Sequence, residues 1–120
     1  MPSRQTRTVS LPDRAEVPVH DVPALLEAGA ALLDVRELDE WDAGHAAAAV
    51  HVPLAKLSLD VVPPGELLLV VCHVGGRSAM ATRALRNAGV PAANVTGGMA
   101  AWHRAGLPVV TADGSPGQII

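Results

Sequence analysis

Short apolar runs alternate along this chain with segments in which apolar residues recur every three or four positions. Residues 31–35 and 67–71 form two such runs, which are typical of strands buried on both faces of a sheet. From Ser78 to Gly89 the apolar positions are spaced three and four apart, which predicts a helix that ends at the glycine. The chain therefore reads as strands joined by helices.

The same pattern divides the rest of the chain into elements. It predicts strands at 16–20, 31–35, 49–53, 67–71 and 94–96, and helices at 21–29, 37–43, 54–59, 78–88 and 99–105. Pro18 removes a backbone donor, which places the first strand at an edge of the sheet. Strands that alternate with helices predict right-handed crossovers, and hence an α/β fold with a five-stranded, mainly parallel sheet and helices on both faces.

The length of 120 residues fits one domain. We predict that residues 16–110 form it, and that residues 1–15 and 111–120 are flexible N-terminal and C-terminal tails. The hydrophobic fraction of 49% is ample for a core, which must be aliphatic because the chain has two Trp and no Phe or Tyr.

The candidate chemistry lies where the run 67–71 ends. Cys72 is followed by His73, Val74 and the pair Gly75-Gly76, and Arg77 and Ser78 then open the predicted helix. Unpaired N–H groups at a helix start, glycines that can take positive φ and a nearby cation all favour a thiolate. We expect a nucleophilic Cys72 that faces solvent within a ring of amide hydrogens, although a lone cysteine after a buried strand is also a common core residue.

Three segments resemble the rhodanese family of sulfurtransferases. Residues 72–78 resemble the C-x-x-G-x-R-S loop, and residues 97–102 resemble G-G-x-x-x-W. A third signature, earlier in the chain, is formed by Asp34, Arg36, Glu37, Glu40, Trp41, Gly44, His45, Val52 and Pro53. The resemblance covers about residues 17 to 110. It departs from the family after His45, where four alanines replace a turn that usually contains glycine and proline.

The resemblance implies a rhodanese-like fold and a thiosulfate sulfurtransferase. Cys72 would carry a persulfide, the backbone of His73, Val74, Gly75, Gly76, Arg77 and Ser78 would bind its terminal sulfur, and Arg77 would attract a dianionic donor. Related arginine phosphatases use a longer C-x5-R loop, whereas Arg77 here makes C-x4-R, a ring for one sulfur atom. The acceptor would be cyanide or a thiol, with a sulfur-acceptor protein as a further partner. The alternative is a persulfide carrier or interaction module that serves a partner protein.

Other polar residues have plainer interpretations. Asp34 and Arg36 lie at a strand end that faces the same edge as Cys72, so they are candidates for supporting the site from behind the loop, but a structural ion pair of Arg36 with Asp34, Glu37 or Glu40 is the commoner outcome. His45 is interpreted as structural, and Trp41 and Trp102 as core anchors. The five histidines lack metal-ligand spacing, so neither a metal nor an organic cofactor is expected.

The net charge and the cysteine content limit the binding partners and the cellular compartment that we expect. A formal net charge of −3 gives no general attraction to nucleic acid or to an anionic membrane. One cysteine excludes an intramolecular disulfide and fits a reducing compartment. No apolar stretch resembles a signal peptide core or a membrane span, so a cytoplasmic location is expected.

Overall fold

A single five-stranded sheet forms the body of the molecule. The computed structural model describes residues 14–120, so the predicted N-terminal tail lies almost wholly outside the described residues. The strands are β1 (Glu16–Pro18), β2 (Ala31–Asp34), β3 (Ala49–His51), β4 (Leu68–Val71) and β5 (Ala92–Thr96). Their order is β1-β5-β4-β2-β3 and every pairing is parallel, which confirms the predicted sheet and the edge position of β1.

Helices cover both faces of the sheet, as predicted. They are α1 (Val22–Glu27), α2 (Leu38–Ala43), α3 (Gly76–Asn87) and α4 (Gly98–Arg104), with short 3-10 helices at Val19–Asp21, Leu54–Lys56 and Leu59–Val61. No helix among residues 14–120 is long and apolar enough to cross a lipid bilayer.

Strand β4 shows how the two apolar layers are built. Leu69 and Val71 pack in one layer with side chains of α1 and α4, including Trp102, whereas Leu68 and Val70 pack in the other with α3. All four β4 residues are buried, because alternate side chains of a strand point to opposite faces and both faces are covered. This central strand therefore holds the residue that follows it, Cys72, in a fixed place.

Several elements differ from their predicted bounds. Strand β1 ends at Pro18 because Val19–Asp21 form a 3-10 turn, and β5 begins at Ala92 rather than at residue 94. Residues 54–59 form two 3-10 turns rather than one helix, because extended backbone at Leu57 and Ser58 separates them and Leu57 packs against the α3 layer. Helix α3 begins at Gly76 rather than at Ser78. Arg77 and Ser78 therefore belong to its first turn.

Residues 111–120, predicted to be a flexible tail, fold back onto the domain. Val110 pairs with both His45 and Pro116, and the N–H of Gln118 donates to the carbonyl of Ala43 at 2.8 Å. Ile119 packs against the layer that contains Trp102. The packed part of the chain thus extends beyond residue 110.

Candidate active site

The site is the turn that joins β4 to α3. Cys72 follows the last residue of β4, and α3 starts four residues later at Gly76. Gly75 has a φ of 112°, a conformation that L side chains rarely adopt. This turn sends the chain back toward Cys72, so the first N–H groups of α3, which have no partner inside the helix, point at the sulfur.

The loop carbonyls are held away from the sulfur by a second glycine turn. The carbonyls of Cys72 and His73 accept hydrogen bonds from the N–H groups of Met99 and Ala100 at 2.8 and 2.9 Å. A Cβ on Gly98 would lie 2.4 Å from the Cys72 carbonyl oxygen, so only glycine permits this approach. Because these carbonyls bind the start of α4, the opposite side of the loop presents hydrogen-bond donors.

Three donors surround the Cys72 sulfur. Its Sγ lies 3.1 Å from the Gly75 nitrogen, 3.4 Å from the Ser78 nitrogen and 3.2 Å from the Ser78 hydroxyl oxygen. The Ser78 side chain is fully buried, so its hydroxyl is aimed at the sulfur rather than at solvent. The predicted ring of donors is present around the sulfur.

Opposing influences set the pKa of the Cys72 thiol. Burial raises the pKa most, whereas hydrogen bonds from the Ser78 hydroxyl and from the backbone N–H groups of Ser78, Gly75 and Arg77 lower it. The hydrogen bonds prevail, and the pKa lies below its ordinary value. The loop therefore favours a thiolate despite removing the sulfur from water.

One expectation about Cys72 is wrong. The side chain was expected to face solvent, but the residue is only 1% exposed. Its apolar neighbours are those of the α3 layer, so the strand that fixes the thiol also draws it below the surface.

The cation of the loop, Arg77, already has a partner. Its Nη1 and Nη2 bond the two carboxylate oxygens of Glu40 at 2.8 and 2.9 Å. The hydrogen bond from Arg77 is the main reason that the pKa of Glu40 falls from 4.5 to about 2. The thiolate and Arg77 also stabilise each other's charged forms. Arg77 thus lies close enough to influence the sulfur while it is engaged by α2.

The second arginine, Arg36, is structural, as its commoner interpretation predicted. Arg36 and Asp34 are both fully buried, and Nη2 of Arg36 lies 2.8 Å from the Asp34 carboxylate. The same Nη2 donates to the carbonyl of Gly44 at 2.7 Å, and Nη1 has no partner among residues 14–120. Val35, which lies between Asp34 and Arg36 in the sequence, donates its N–H to the Val71 carbonyl, so the pair lies beside the end of β4. It ties β2 to the turn that ends α2.

The other loop residues are less engaged. Val74 is 66% exposed at the tip of the loop, and His73 is half-buried. Hydrogen bonds to the sulfur come from Gly75 and Ser78, whereas the Arg77 N–H has a smaller influence on its pKa. The predicted binding set of six residues is therefore contiguous in the loop, with two of them in hydrogen-bond contact with the sulfur.

Two histidines, His45 and His51, have partners within the domain. His45 Nδ1 lies 2.8 Å from the Trp41 carbonyl oxygen, and its ring stacks on Trp41 at a centroid distance of 3.6 Å. His51 stacks on Trp41 as well, at 4.8 Å. Trp102 is 5% exposed, as expected of a core anchor. Among the described residues, no three His, Cys, Asp or Glu side chains are grouped so that they could hold a metal ion.

Sequence reasoning missed two residues of the site. Asn94 donates from Nδ2 to the Gly75 carbonyl at 3.3 Å and to Glu16 at 3.1 Å, and so fixes the loop from β5. Its signal was a polar residue within an otherwise buried, apolar strand. Glu40 belongs to the third signature, but it was considered only as a partner for Arg36 and not for Arg77.

Comparison with known proteins agrees with this geometry. The family model described as "Rhodanese-like domain" matches residues 18–105. Thiosulfate sulfurtransferase 18 of Arabidopsis thaliana is 32% identical over 92% of this chain and 97% of its own length. A rhodanese-related protein from Thermoplasma volcanium has a crystal structure that matches 81% of this chain and 98% of its own, with a TM-score of 0.74 and 29% identity.

Some relatives are longer than this chain. The putative sulfur carrier protein YrkF of Bacillus subtilis is 34% identical over 59% of this chain, but the match covers only 40% of YrkF. The chain spans about half or less of the length of three curated relatives that it matches. In those proteins the matching region is one part of a larger whole.

Proposed function

Because the chain belongs to the rhodanese-like domain family, we propose that it is a sulfurtransferase that moves sulfane sulfur from thiosulfate or a similar donor to a thiophilic acceptor through a Cys72 persulfide. One observation carries the proposal. The Cys72 sulfur accepts hydrogen bonds from Gly75 and Ser78, and these lower the pKa of a thiol that burial alone would raise. Such a sulfur is more readily ionised, and therefore a better nucleophile, than an ordinary buried thiol.

The first step loads the enzyme. The Cys72 thiolate attacks the outer sulfur of thiosulfate, a sulfur–sulfur bond forms to Cys72, and the bond to the sulfonate sulfur breaks with its electron pair leaving on sulfite. The charge is conserved, since a thiolate and a dianion become a persulfide anion and a sulfite dianion. The N–H groups of Gly75, Arg77 and Ser78 and the Ser78 hydroxyl lie where the terminal sulfur would need donors.

The second step removes the terminal sulfur from Cys72. A thiophilic acceptor, either cyanide or a thiolate, attacks the terminal sulfur and takes it, and the bonding pair returns to Cys72 as thiolate. This cycle uses no metal or organic cofactor, since both bonds that break are sulfur–sulfur bonds polarised by backbone donors. We place the reaction in the cytoplasm, where a lone thiol stays reduced, and we assign no nucleic acid or membrane partner.

A second function, that of a persulfide carrier, is favoured by one observation. Cys72 is 1% exposed, so free small molecules reach it less readily than a partner that opens the rim on docking. The relative named a putative sulfur carrier points in the same direction. In this function the Cys72 persulfide forms in the same way, but its acceptor is a thiol of a partner protein and turnover without that protein is slow.

Two measurements test the proposal. Mass spectrometry of thiosulfate-treated protein is expected to show one added sulfur, about 32 Da, on the peptide that contains Cys72. Cyanide-dependent formation of thiocyanate then measures turnover, with Cys72→Ser as the control. Equal turnover by both proteins, or an adduct elsewhere, would refute the mechanism, and an adduct without turnover would favour the carrier.

A further inference from the structure

The positive charge nearest the thiol is already neutralised. Glu40 presents both carboxylate oxygens to Arg77 at 2.8 and 2.9 Å, and its side chain is only 14% exposed. Glu40 is also fixed at its other side, because Oε1 accepts the Glu37 N–H at 2.9 Å in the capping box of α2. The carboxylate is therefore held in place against Arg77 and does not swing freely.

The charges around Arg77 add up to a negative total. Glu37 and Glu40 act on Arg77, and Arg36 acts on Glu40 while it is paired with Asp34. Two guanidinium groups face three carboxylates, Asp34, Glu37 and Glu40, so this group carries a formal charge of −1 before the thiolate is counted. A site built to attract a dianion from solvent would carry the opposite sign.

We propose that Glu40 is a positioning residue that acts through Arg77 to set the charge preference of the site, so that sulfane sulfur donors with a single negative charge are favoured over dianionic thiosulfate. The inference rests on the proposed sulfur transfer and specifies its donor. Arg77 stabilises the thiolate at a distance while Glu40 cancels its attraction for anions in solvent. A persulfide of an organic thiol is a donor of the favoured class.

The test compares two donors of different charge. Thiosulfate carries two negative charges and benzenethiosulfonate one, and both transfer their outer sulfur to a thiolate, with sulfite or benzenesulfinate as the leaving group. Glu40→Gln removes the charge but keeps an N3 side chain that suits a capping box. We expect kcat/KM for thiosulfate to rise by about threefold to tenfold, mainly through KM, and that for benzenethiosulfonate to rise clearly less.

Two controls separate charge at Arg77 from other effects. Asp39→Asn removes the same charge one residue away, from an exposed side chain, and is expected to change the ratio of the two donors by less than about twofold. Arg77→Met removes the paired cation and is expected to move the ratio of the two donors in the direction opposite to Glu40→Gln, because the two side chains carry opposite charges at one place. Thermal unfolding checks that each variant is folded.

The outcomes are distinct. Equal changes for both donors in Glu40→Gln, a similar shift in Asp39→Asn, or a shift of the donor ratio in the same direction in Arg77→Met would each overturn this inference. If benzenethiosulfonate and thiosulfate both leave Cys72 without an added sulfur in the unmodified protein, the proposed sulfur transfer itself fails instead.

Discussion

Of two arginine–carboxylate pairs of like chemistry, one lies within the scaffold and the other beside the site. Arg36 and Asp34 are both fully buried, whereas the side chains of Arg77 and Glu40 are 34% and 14% exposed. The first pair bonds a strand end to the turn after α2, and the second joins α2 to the first turn of α3. Burial, rather than residue type, decides which arginine is part of the framework.

The difference follows from the position of each arginine in the fold. Arg36 lies two residues beyond a strand covered on both faces, so its guanidinium is out of contact with water and its charge is compensated by Asp34. Arg77 lies at the rim, where water shares the stabilisation of its charge and where exchange of its partner costs little. Of the two pairs, only Arg77 and Glu40 are placed to change the charge near the Cys72 sulfur without loss of the scaffold.

The largest expected effect comes from breaking the buried pair. Arg36→Met leaves the Asp34 carboxylate without its counter-charge inside the sheet, and we expect a loss of about 3–5 kcal/mol in the free energy of unfolding. Arg77→Met removes the same charge from the rim and is expected to cost no more than about 1 kcal/mol. Urea denaturation of the two variants measures both values. Similar losses would show that the two pairs do not differ as burial implies.

The fold was predictable because its signals are local. Each buried strand is a short apolar run bounded by glycine, proline or polar residues, and the helices between them have the spacing of one apolar face. The ring around Cys72 was predictable for the same reason, since the glycine turn and the start of α3 are contiguous with the cysteine. Contacts between residues that are close in sequence can be predicted from the local sequence pattern.

The missed features depend on distant parts of the chain. Glu40 and Arg77 are 37 residues apart, and their contact depends on how α2 packs beside α3. The burial of the thiol depends on the layer that covers it, and the docking of residues 109–118 depends on backbone groups at Ala43 and His45. The glycines and the proline in residues 111–120 indicate a flexible segment, and the sequence does not reveal the distant backbone groups that hold it.

The Ser78 hydroxyl allows a test of whether the loop or the Arg77 charge stabilises the Cys72 thiolate. Ser78→Ala removes the hydroxyl hydrogen bond at 3.2 Å, so the pKa of Cys72 is expected to rise and the thiolate fraction at any pH below that pKa to fall by about tenfold. The far-ultraviolet absorbance of the thiolate, followed against pH, measures this change. A fall of that size would place the sulfur's stabilisation in the loop rather than in the Arg77 charge.

Thr82 offers a matched control for Ser78. It lies one turn further along α3, is 4% exposed, and its hydroxyl has no hydrogen-bond partner among residues 14–120. Thr82→Ala therefore deletes a buried hydroxyl from the same helix without touching the sulfur, and the pKa of Cys72 is expected to stay where it is. An equal rise in both variants would mean that the helix, and not the Ser78 hydroxyl, sets the pKa.

The smallest effect is the pH dependence of the exposed pair. The pKa of Glu40 is lowered from 4.5 to about 2, chiefly by its hydrogen bond from Arg77, so the pair's contribution to stability is fully present above about pH 4.5 and is lost as the pH falls toward 2. Because the pair is partly exposed, that contribution is no more than about 1 kcal/mol. Urea denaturation of the unmodified protein and Glu40→Gln, at about pH 6 and about pH 3, should show their difference in unfolding free energy shrinking in acid. Other carboxylates titrate alike in both proteins, so the difference isolates Glu40. A difference that stays constant or widens in acid would contradict a charge-stabilised pair and would leave burial, rather than the ionic contact, as what holds α2 against α3.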